Sequence, residues 1–239
     1  MIALFTDFSI TDPYLGLMKI AIYQDAPNCR IVDICHDMPA FNPNASGRLL
    51  QALVRDLPDG LIILAVIDPG VGTERHPLWL EADGKHFIGP DNGLFARIIN
   101  QAANVEAHVL EFDSTKVSAS FHGRDVFAPA AAQIEAGKSP ASYSIDHEKL
   151  VGTTWPDELS EIIYIDNYGN AMTGITGENV TSDKCFVVNE IKIHYARTFD
   201  DKIKGRPFWY KNSIGLVEFA QYNQSASELK EIKLGDKVN

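Results

Sequence analysis

The sequence predicts an α/β protein with an N-terminal α/β domain, built on a central, mostly parallel sheet, and a smaller C-terminal all-β, barrel-like domain. Strand and helix patterns alternate up to about residue 136, which is typical of βαβ units. From Ile162 onward the pattern contains short strands and turns but no helix. We place the first domain at residues 1–157 and the second at 158–239. Residues 138–157 are rich in Pro, Ser, Asp and Thr and are expected to form a linker.

Short apolar runs mark the strands of the first domain, at residues 2–5, 30–35 and 61–67. The run from Leu61 to Ile67 has no charged residue, as expected for a strand that is buried on both faces. Asp83-Gly84 predicts the turn of a β-hairpin. The remaining elements are a strand at 105–112 and helices at 14–22, 44–56, 94–101 and 126–136. In the second domain, strands are expected at 162–165, 185–188, 191–195 and 216–219.

The acidic composition restricts the possible partners. The chain has 239 residues and a formal net charge of -11, which disfavours nucleic acid because binding phosphates requires clustered Lys and Arg. The three cysteines, Cys29, Cys35 and Cys185, lack metal-ligand spacing and are expected to be reduced thiols. Asp7 interrupts the apolar start, and no apolar window is long enough to span a membrane. A cytoplasmic protein without membrane or nucleic-acid partners is therefore expected.

Polar side chains follow the predicted strands of the first domain. They are Asp7, the pair His36 and Asp37, Asp68 with Arg75, the pair Asp91 and Asn92, and His122 with Arg124 and Asp125. Because the carboxyl ends of parallel strands meet at one edge of a sheet, we expect several of these side chains to gather there. A purely structural interpretation, in which Asp68 caps a turn and Arg75 lies in solvent, remains open at this point.

Two kinds of chemistry fit such a cluster. In the first, Asp7, Asp68, Asp91 and His122 hold a divalent ion that activates water. The chain has no metal-binding motif, and nearby arginines disfavour a cation. In the second, Asp68, Arg75 and His122 orient and polarise a water molecule without a metal.

Seven segments, taken in order, resemble the S-adenosyl-L-methionine (SAM) hydroxide adenosyltransferase family, which is related to fluorinating and chlorinating enzymes that use the same substrate. The most informative are Asp68-Pro69-Gly70-Val71-Gly72-Thr73-Glu74-Arg75 and Phe121-His122-Gly123-Arg124-Asp125. No single segment is decisive, but seven in one order are specific. The full set lies at residues 5–8, 33–36, 68–75, 90–94, 121–131, 165–170 and 212–216.

The resemblance implies hydrolysis of SAM to adenosine and L-methionine by metal-free attack of water or hydroxide at the ribose C5′, with SAM as substrate and no cofactor. The family's water-activating set falls on Asp68, Arg75 and His122, and the halogenating relatives lack it. The family is trimeric, which implies a homotrimer with the active site at the subunit interface. The implied substrate contacts are Asp7 for the ribose, Phe41 beside the ligand, Asp166 and Ser213 for the methionine, and Asn170 and Asn223 for the adenine.

Three positions depart from the family pattern. Ser9 stands where Gly is usual, Ile214 replaces an aromatic residue, and Tyr222 stands where Asn is expected. These departures leave an alternative open, which is a protein that binds SAM or adenosine without cleaving it. A divalent-metal-dependent hydrolase is the third possibility.

Overall fold

The computed structural model describes residues 1–197, 205–221 and 228–239. It divides into two compact units, Met1–Trp155 and Pro156–Asn239. The boundary between the two units therefore lies between residues 155 and 156. The boundary predicted from the sequence lay between residues 157 and 158. Among the described residues, no helix has the length and apolar character needed to cross a membrane.

The first unit is built on a single sheet of seven strands. They are β1 (Ile2–Thr6), β2 (Ile31–Cys35), β3 (Ile62–Val66), β4 (Pro77–Ala82), β5 (Lys85–Pro90), β6 (Val105–Leu110) and β7 (Ser142–Ile145). Their order in the sheet is β2-β1-β3-β5-β4-β6-β7. β1 pairs in parallel with β2 and β3, and β3 with β5, whereas β4, β6 and β7 pair antiparallel. The expected α/β domain is confirmed, but only half of its sheet is parallel.

Four helices complete the first unit. They are α1 (Pro13–Asp25), α2 (Pro43–Val54), α3 (Ala96–Gln101) and α4 (Ala128–Glu135), and a π-helical turn at Gly123–Phe127 leads into α4. Proline is the first residue of both α1 and α2. Proline is favoured there because an N–H group in the first turn of a helix has no intrahelical acceptor, so its absence costs no hydrogen bond. The Asn42 side chain caps α2 by accepting a 3.1 Å hydrogen bond from the Ala45 N–H. Apolar residues of α1 and α4 bury one sheet face, and β3 is buried along its whole length.

The expected linker character of residues 138–157 is wrong, because residues 138–155 belong to the first unit and contain a strand of its sheet. β7 pairs with β6 from Leu110↔Ser142 to Ala107↔Ile145. The backbone N–H of Val151 donates to Asp91 Oδ1 at 2.9 Å. The edge strand Ser-Tyr-Ser-Ile has only four residues, so its pairing with β6 determines its structure more than its own sequence does.

The second unit is a β domain, as expected from the sequence. Its strands are β8 (Leu159–Ile165), β9 (Ala171–Thr176), β10 (Phe186–Val188), β11 (Ile191–Tyr195), β12 (Pro207–Lys211) and β13 (Leu216–Gln221). They form one sheet in the order β10-β11-β12-β13-β9-β8. Aromatic residues on β10, β12 and β13, including Phe186, Trp209 and Phe219, contribute to its core.

Candidate active site

A tight turn follows β3 and returns the chain on itself. The Val71 N–H donates to the Asp68 carbonyl at 3.3 Å, and the Thr73 N–H donates to the Gly70 carbonyl at 3.1 Å. Gly72 has φ 77°, and a Cβ atom there would clash with the carbonyl oxygen of Ala119. Glycine is therefore required at this position for both conformation and space. The turn brings the side chain of residue 75 back to residue 68.

The structure brings Asp68, Arg75 and His122 into one hydrogen-bonded group. Arg75 donates two hydrogen bonds to the Asp68 carboxylate: its Nε lies 2.9 Å from Oδ1, and its Nη2 lies 2.5 Å from Oδ2. The same Nη2 lies 3.0 Å from Nδ1 of His122. The side chains of Arg75 and Asp68 are only 8% and 6% exposed. The two charges therefore neutralise each other in a largely dry environment.

The neighbours of His122 favour its neutral form. Burial and the adjacent Arg75 guanidinium lower the pKa of His122, although Asp68 and Asp125 partly oppose them. Because a guanidinium only donates hydrogen bonds, the Arg75 contact assigns an acceptor role to Nδ1 and places the imidazole proton on Nε2. The ring also packs edge-on against Phe112, with centroids 5.3 Å apart.

Arg75 keeps one donor unused. Its Cζ lies 5.2 Å from the centre of the Phe127 ring, which holds the guanidinium from one side. Within the described part of the chain, its buried Nη1 has no hydrogen-bond partner. A buried, unsatisfied donor is costly and is common at functional sites.

Asp68 and His122 line a cleft of about 230 Å³ that also contains Asp7 and Phe41. Burial raises the pKa of Asp7, and this effect is only partly offset by a backbone hydrogen bond from Phe41. That bond is long, with the Phe41 nitrogen 3.5 Å from Oδ2 of Asp7. Asp7 therefore presents a carboxylate with free acceptor positions to the cleft.

Aromatic rings that were not predicted as site residues form much of the remaining wall. Phe8, Tyr14 and Phe121 contact one another, with ring centroids between 5.4 and 6.0 Å apart. Phe41 is different, because it is 76% exposed and has φ 62°. Phe8 and Phe121 lie beside Asp7 and His122 in sequence, and this was the one signal that could have identified them.

Other charged residues of the same loops have structural partners. Asp91 binds the backbone of Val151 instead of lining the cleft, and burial raises the pKa of Asp91. Arg124 pairs with Asp125, which also accepts from the Ser118 N–H at 2.7 Å. Asp125 thereby fixes the loop in front of the π-helical turn.

The four donors of the metal hypothesis, Asp7, Asp68, Asp91 and His122, do not converge. Among the described residues, the only group of three or more such side chains with potential ligand atoms within 4.8 Å of one another consists of Glu81, Glu106 and His108. That group lies on β4 and β6 and shares no residue with the cleft.

The second unit holds the positions that the resemblance assigned to methionine and adenine. Asp166 Oδ1 accepts from the N–H groups of Tyr168 and Asn170 at 2.8 and 2.9 Å, and Oδ2 accepts from the Asn170 side chain at 3.1 Å. Ser213 lies exposed on a turn that Asn212 holds by accepting from Leu216 N–H at 2.9 Å. Asn223 and Tyr222 lie outside the described residues.

Comparisons with known proteins identify the family of the chain. The sequence profile of the SAM hydroxide adenosyltransferase N-terminal domain matches residues 2–144, and that of the C-terminal domain matches residues 160–239. The chain is 33% identical over 249 residues to the (R)-S-adenosyl-L-methionine hydrolase of Thermus thermophilus, covering 96% of this chain and 95% of that protein. It is 24% identical over 288 residues to a fluorinase of Actinopolyspora mzabensis, covering 100% of this chain and 96% of that one.

The fold has a counterpart of known structure. The crystal structure of an uncharacterized conserved protein from Thermotoga maritima superposes with a TM-score of 0.85 at 27% identity, covering 100% of this chain and 99% of that one. The two matched profiles together account for most of the sequence. The resemblance found in the sequence is confirmed, and the chain belongs to the SAM hydroxide adenosyltransferase family.

Proposed function

We propose that the protein hydrolyses SAM to adenosine and L-methionine by metal-free attack of water or hydroxide at the ribose C5′, without a cofactor. The observation that carries this proposal is the buried group of Asp68, Arg75 and His122, two of whose members, Asp68 and His122, line the same cleft as Asp7. The names of the relatives, (R)-S-adenosyl-L-methionine hydrolase, support the same reaction.

The reaction depends on activating water as the nucleophile and does not require a general acid. The C5′–S bond breaks, and its electron pair leaves with sulfur as the neutral thioether of methionine. A C5′–O bond forms from water, which gives up one proton. The sulfur leaves as a neutral thioether and does not need to be protonated. The protein therefore has to place the water in line with the C5′–S bond and stabilise the negative charge that develops on the water oxygen.

The three side chains divide this task. Each oxygen of Asp68 uses one lone pair on Arg75 and keeps another for a water proton. The free Nη1 of Arg75 and the Nε2–H of neutral His122 supply donors for an oxygen that is becoming hydroxide. We assign proton acceptance to Asp68, and charge stabilisation to Arg75 and His122.

The substrate contacts follow from the same cleft and from the resemblance. Asp7 accepts hydrogen bonds from the ribose hydroxyls, and the exposed ring of Phe41 lies beside the ligand. In the second domain we assign methionine to Asp166 and Ser213 and adenine to Asn170. The cytoplasmic location that we propose accords with three free cysteines.

A homotrimer is part of the proposal. A cleft of about 230 Å³ is smaller than typical ligand sites. The outer face of α1 beside it is apolar, with Tyr14, Leu17, Ile20 and Tyr23 between 39% and 57% exposed. Such a face favours burial against another subunit. We propose that the second domain of a neighbouring subunit completes the cleft.

The decisive test is product analysis with both sulfonium epimers of SAM. We expect adenosine and methionine in equal amounts from the (R) epimer, and ¹⁸O in the adenosine 5′-hydroxyl when the reaction runs in labelled water. A strong chelator is expected to leave the rate unchanged. His122→Ala serves as the inactive reference.

Other outcomes select other functions. SAM recovered uncleaved from the protein after prolonged incubation would identify the binding protein of the alternative hypothesis. Loss of activity with the chelator would identify a metal-dependent hydrolase. Adenosine formation no faster than with His122→Ala would exclude SAM hydrolysis.

A further inference from the structure

A buried histidine lies behind the Asp7 loop and has no role in the proposed chemistry. His36 is 3% exposed and follows β2. Its Nδ1 lies 2.8 Å from the hydroxyl of Thr6, the residue directly before Asp7. That hydroxyl also accepts from the backbone N–H of Phe8 at 3.3 Å. The imidazole is therefore connected to the chain on both sides of Asp7.

The main chain of His36 makes a further link to the same loop. Its carbonyl oxygen accepts from the Ser9 N–H at 2.7 Å. Three residues around Asp7, namely Thr6, Phe8 and Ser9, are thus tied to one residue on the neighbouring loop. No such link reaches Asp7 itself, whose carboxylate remains available to the cleft.

The outer end of the imidazole faces an ion pair. Nε2 lies 3.1 Å from Oδ1 of Asp33, although not in the geometry of a good hydrogen bond. Oδ2 of Asp33 binds Lys19 at 2.7 Å. Burial alone would raise the pKa of Asp33, but Lys19 and His36 together lower it. The carboxylate therefore stays charged and favours a proton on Nε2, which leaves Nδ1 to accept from the Thr6 hydroxyl.

We propose that His36 is a positioning residue for Asp7, whose carboxylate binds the ribose, and that it acts through Thr6 and the backbone of the Asp7 loop. This inference rests on the proposed contact between Asp7 and the ribose. The hydrogen-bond order is Phe8 N–H to Thr6, Thr6 O–H to His36 Nδ1, and His36 Nε2–H towards Asp33. His36 contributes no atom to the cleft, and its effect is on how well Asp7 is held.

A double-mutant cycle with adenosine as the probe tests this coupling. Binding constants are measured calorimetrically for the full chain, for Asp7→Ala, for His36→Leu and for the double variant. We expect His36→Leu to weaken adenosine binding about tenfold. In the Asp7→Ala background the same change should weaken binding by less than about twofold, because its effect is transmitted by Asp7. An equal loss in both backgrounds, or no loss in the wild type, would overturn the inference.

Two isosteric substitutions separate positioning from packing. Asparagine places a polar atom near the position of Nδ1, whereas glutamine places one near that of Nε2. His36→Asn should therefore retain binding within about threefold, and His36→Gln should resemble His36→Leu. His147→Leu, a change far from this group in sequence and outside the cleft, is the matched control and should bind like the wild type. Equal binding by the Asn and Gln variants would contradict the proposed role of Nδ1.

Hydrogen exchange gives a test that does not require a ligand. The amides of Phe8 and Ser9 should exchange about tenfold faster in His36→Leu than in the wild type or His36→Asn. Failure of the wild type to bind adenosine would contradict the proposed function and leave this measurement to decide the role of His36. Unchanged exchange in His36→Leu would overturn that role even if adenosine binds.

Discussion

Two carboxylates, Asp68 in the first unit and Asp166 in the second, each follow a strand and meet different partners. Asp68 is held by the side chain of Arg75, which in turn contacts His122, a residue 47 positions further along the chain. Asp166 is held by the turn that it begins, through the N–H groups of Tyr168 and Asn170. The first arrangement depends on tertiary structure, and the second is local.

The difference indicates a division of labour. Asp68, Arg75 and His122 form a nearly dry, charge-balanced group with an unused donor, which is suited to stabilising charge that develops in a reaction. The oxygens of Asp166 are engaged by three donors of its own turn, so this carboxylate shapes the surface that carries Tyr168 and Asn170 and keeps one acceptor position on Oδ2 for the methionine that we assign to it. We therefore expect substitutions in the first region to reduce kcat and those in the second to raise KM.

Arg75→Met should have the largest effect. It removes the donors that we assign to charge stabilisation, and we expect kcat for SAM to fall about a thousandfold. It also leaves Asp68 buried and unpaired, which should lower the free energy of unfolding by about 3 kcal/mol. Arg75→Lys restores the positive charge but not the two hydrogen bonds to Asp68, and its kcat should remain well below that of the wild type. Turnover is measured by chromatography of adenosine, and stability by denaturant unfolding.

Arg124→Met is the matched control for that change. Its side chain is 38% exposed and pairs with the neighbouring Asp125. We expect an effect on stability below about 1 kcal/mol and on kcat below about threefold. Equal losses in the two arginine variants would show that the buried group has no special role, and would remove the contrast between the two regions.

The pH dependence of kcat/KM should reflect the neutral form of His122. Because burial and Arg75 lower the pKa of His122, protonation requires a pH below its ordinary value of about 6.5. Activity should be constant near pH 7 and fall as acid places a second positive charge beside Arg75. The His122→Asn variant should have a kcat/KM about a hundredfold lower than the wild type, and its kcat/KM should not fall further at acidic pH. A fall at acidic pH that persists in the variant would point to a carboxylate such as Asp7, whose pKa is raised by burial.

Asp166→Ala should have a smaller effect, confined to substrate binding. The turn loses the acceptor for two backbone N–H groups and for the Asn170 side chain. We expect KM for SAM to rise about tenfold with kcat within about twofold. Asp183→Ala removes an exposed carboxylate that binds Thr181 in the same unit and should leave both constants unchanged. A fall in kcat as large as that of Arg75→Met would contradict the division of labour.

Sequence patterns predicted the elements that carry their own signal. β3 is apolar throughout, and α1 and α2 lie close to the helices that were predicted at residues 14–22 and 44–56. The strands that were missed, β7, β9 and β12, are short or contain Gly, Pro or alternating polar residues. Their structure depends on pairing with neighbouring strands, which no local pattern can show.

The site was predictable to a similar extent. The strand-end positions of Asp68, Arg75 and His122 indicated one water-orienting cluster, and the resemblance assigned all three to water activation, whereas the sequence left open whether Arg75 lies in solvent or contacts Asp68. The cluster of Phe8, Tyr14 and Phe121 depends on three separate elements meeting, and the orientation of Asp91 away from the cleft depends on Val151. Both are tertiary contacts, so the residues alone could not reveal them.

The smallest expected effect concerns Ser9, where the family usually has glycine. Ser9 has φ 59°, a left-handed conformation that costs a non-glycine residue about 1 kcal/mol. Ser9→Gly removes this strain but loses the hydrogen bond between the Ser9 and Thr11 hydroxyls, at 3.0 Å, and gains freedom in the unfolded chain. We expect the melting temperature to change by only a few degrees and turnover to stay within about twofold of the wild type. Ser9→Val should be clearly less stable, because a β-branched residue does not tolerate this conformation. A Ser9→Gly variant with tenfold higher turnover would instead show that serine impairs the Asp7 loop, and that the first region is not fully organised in this chain.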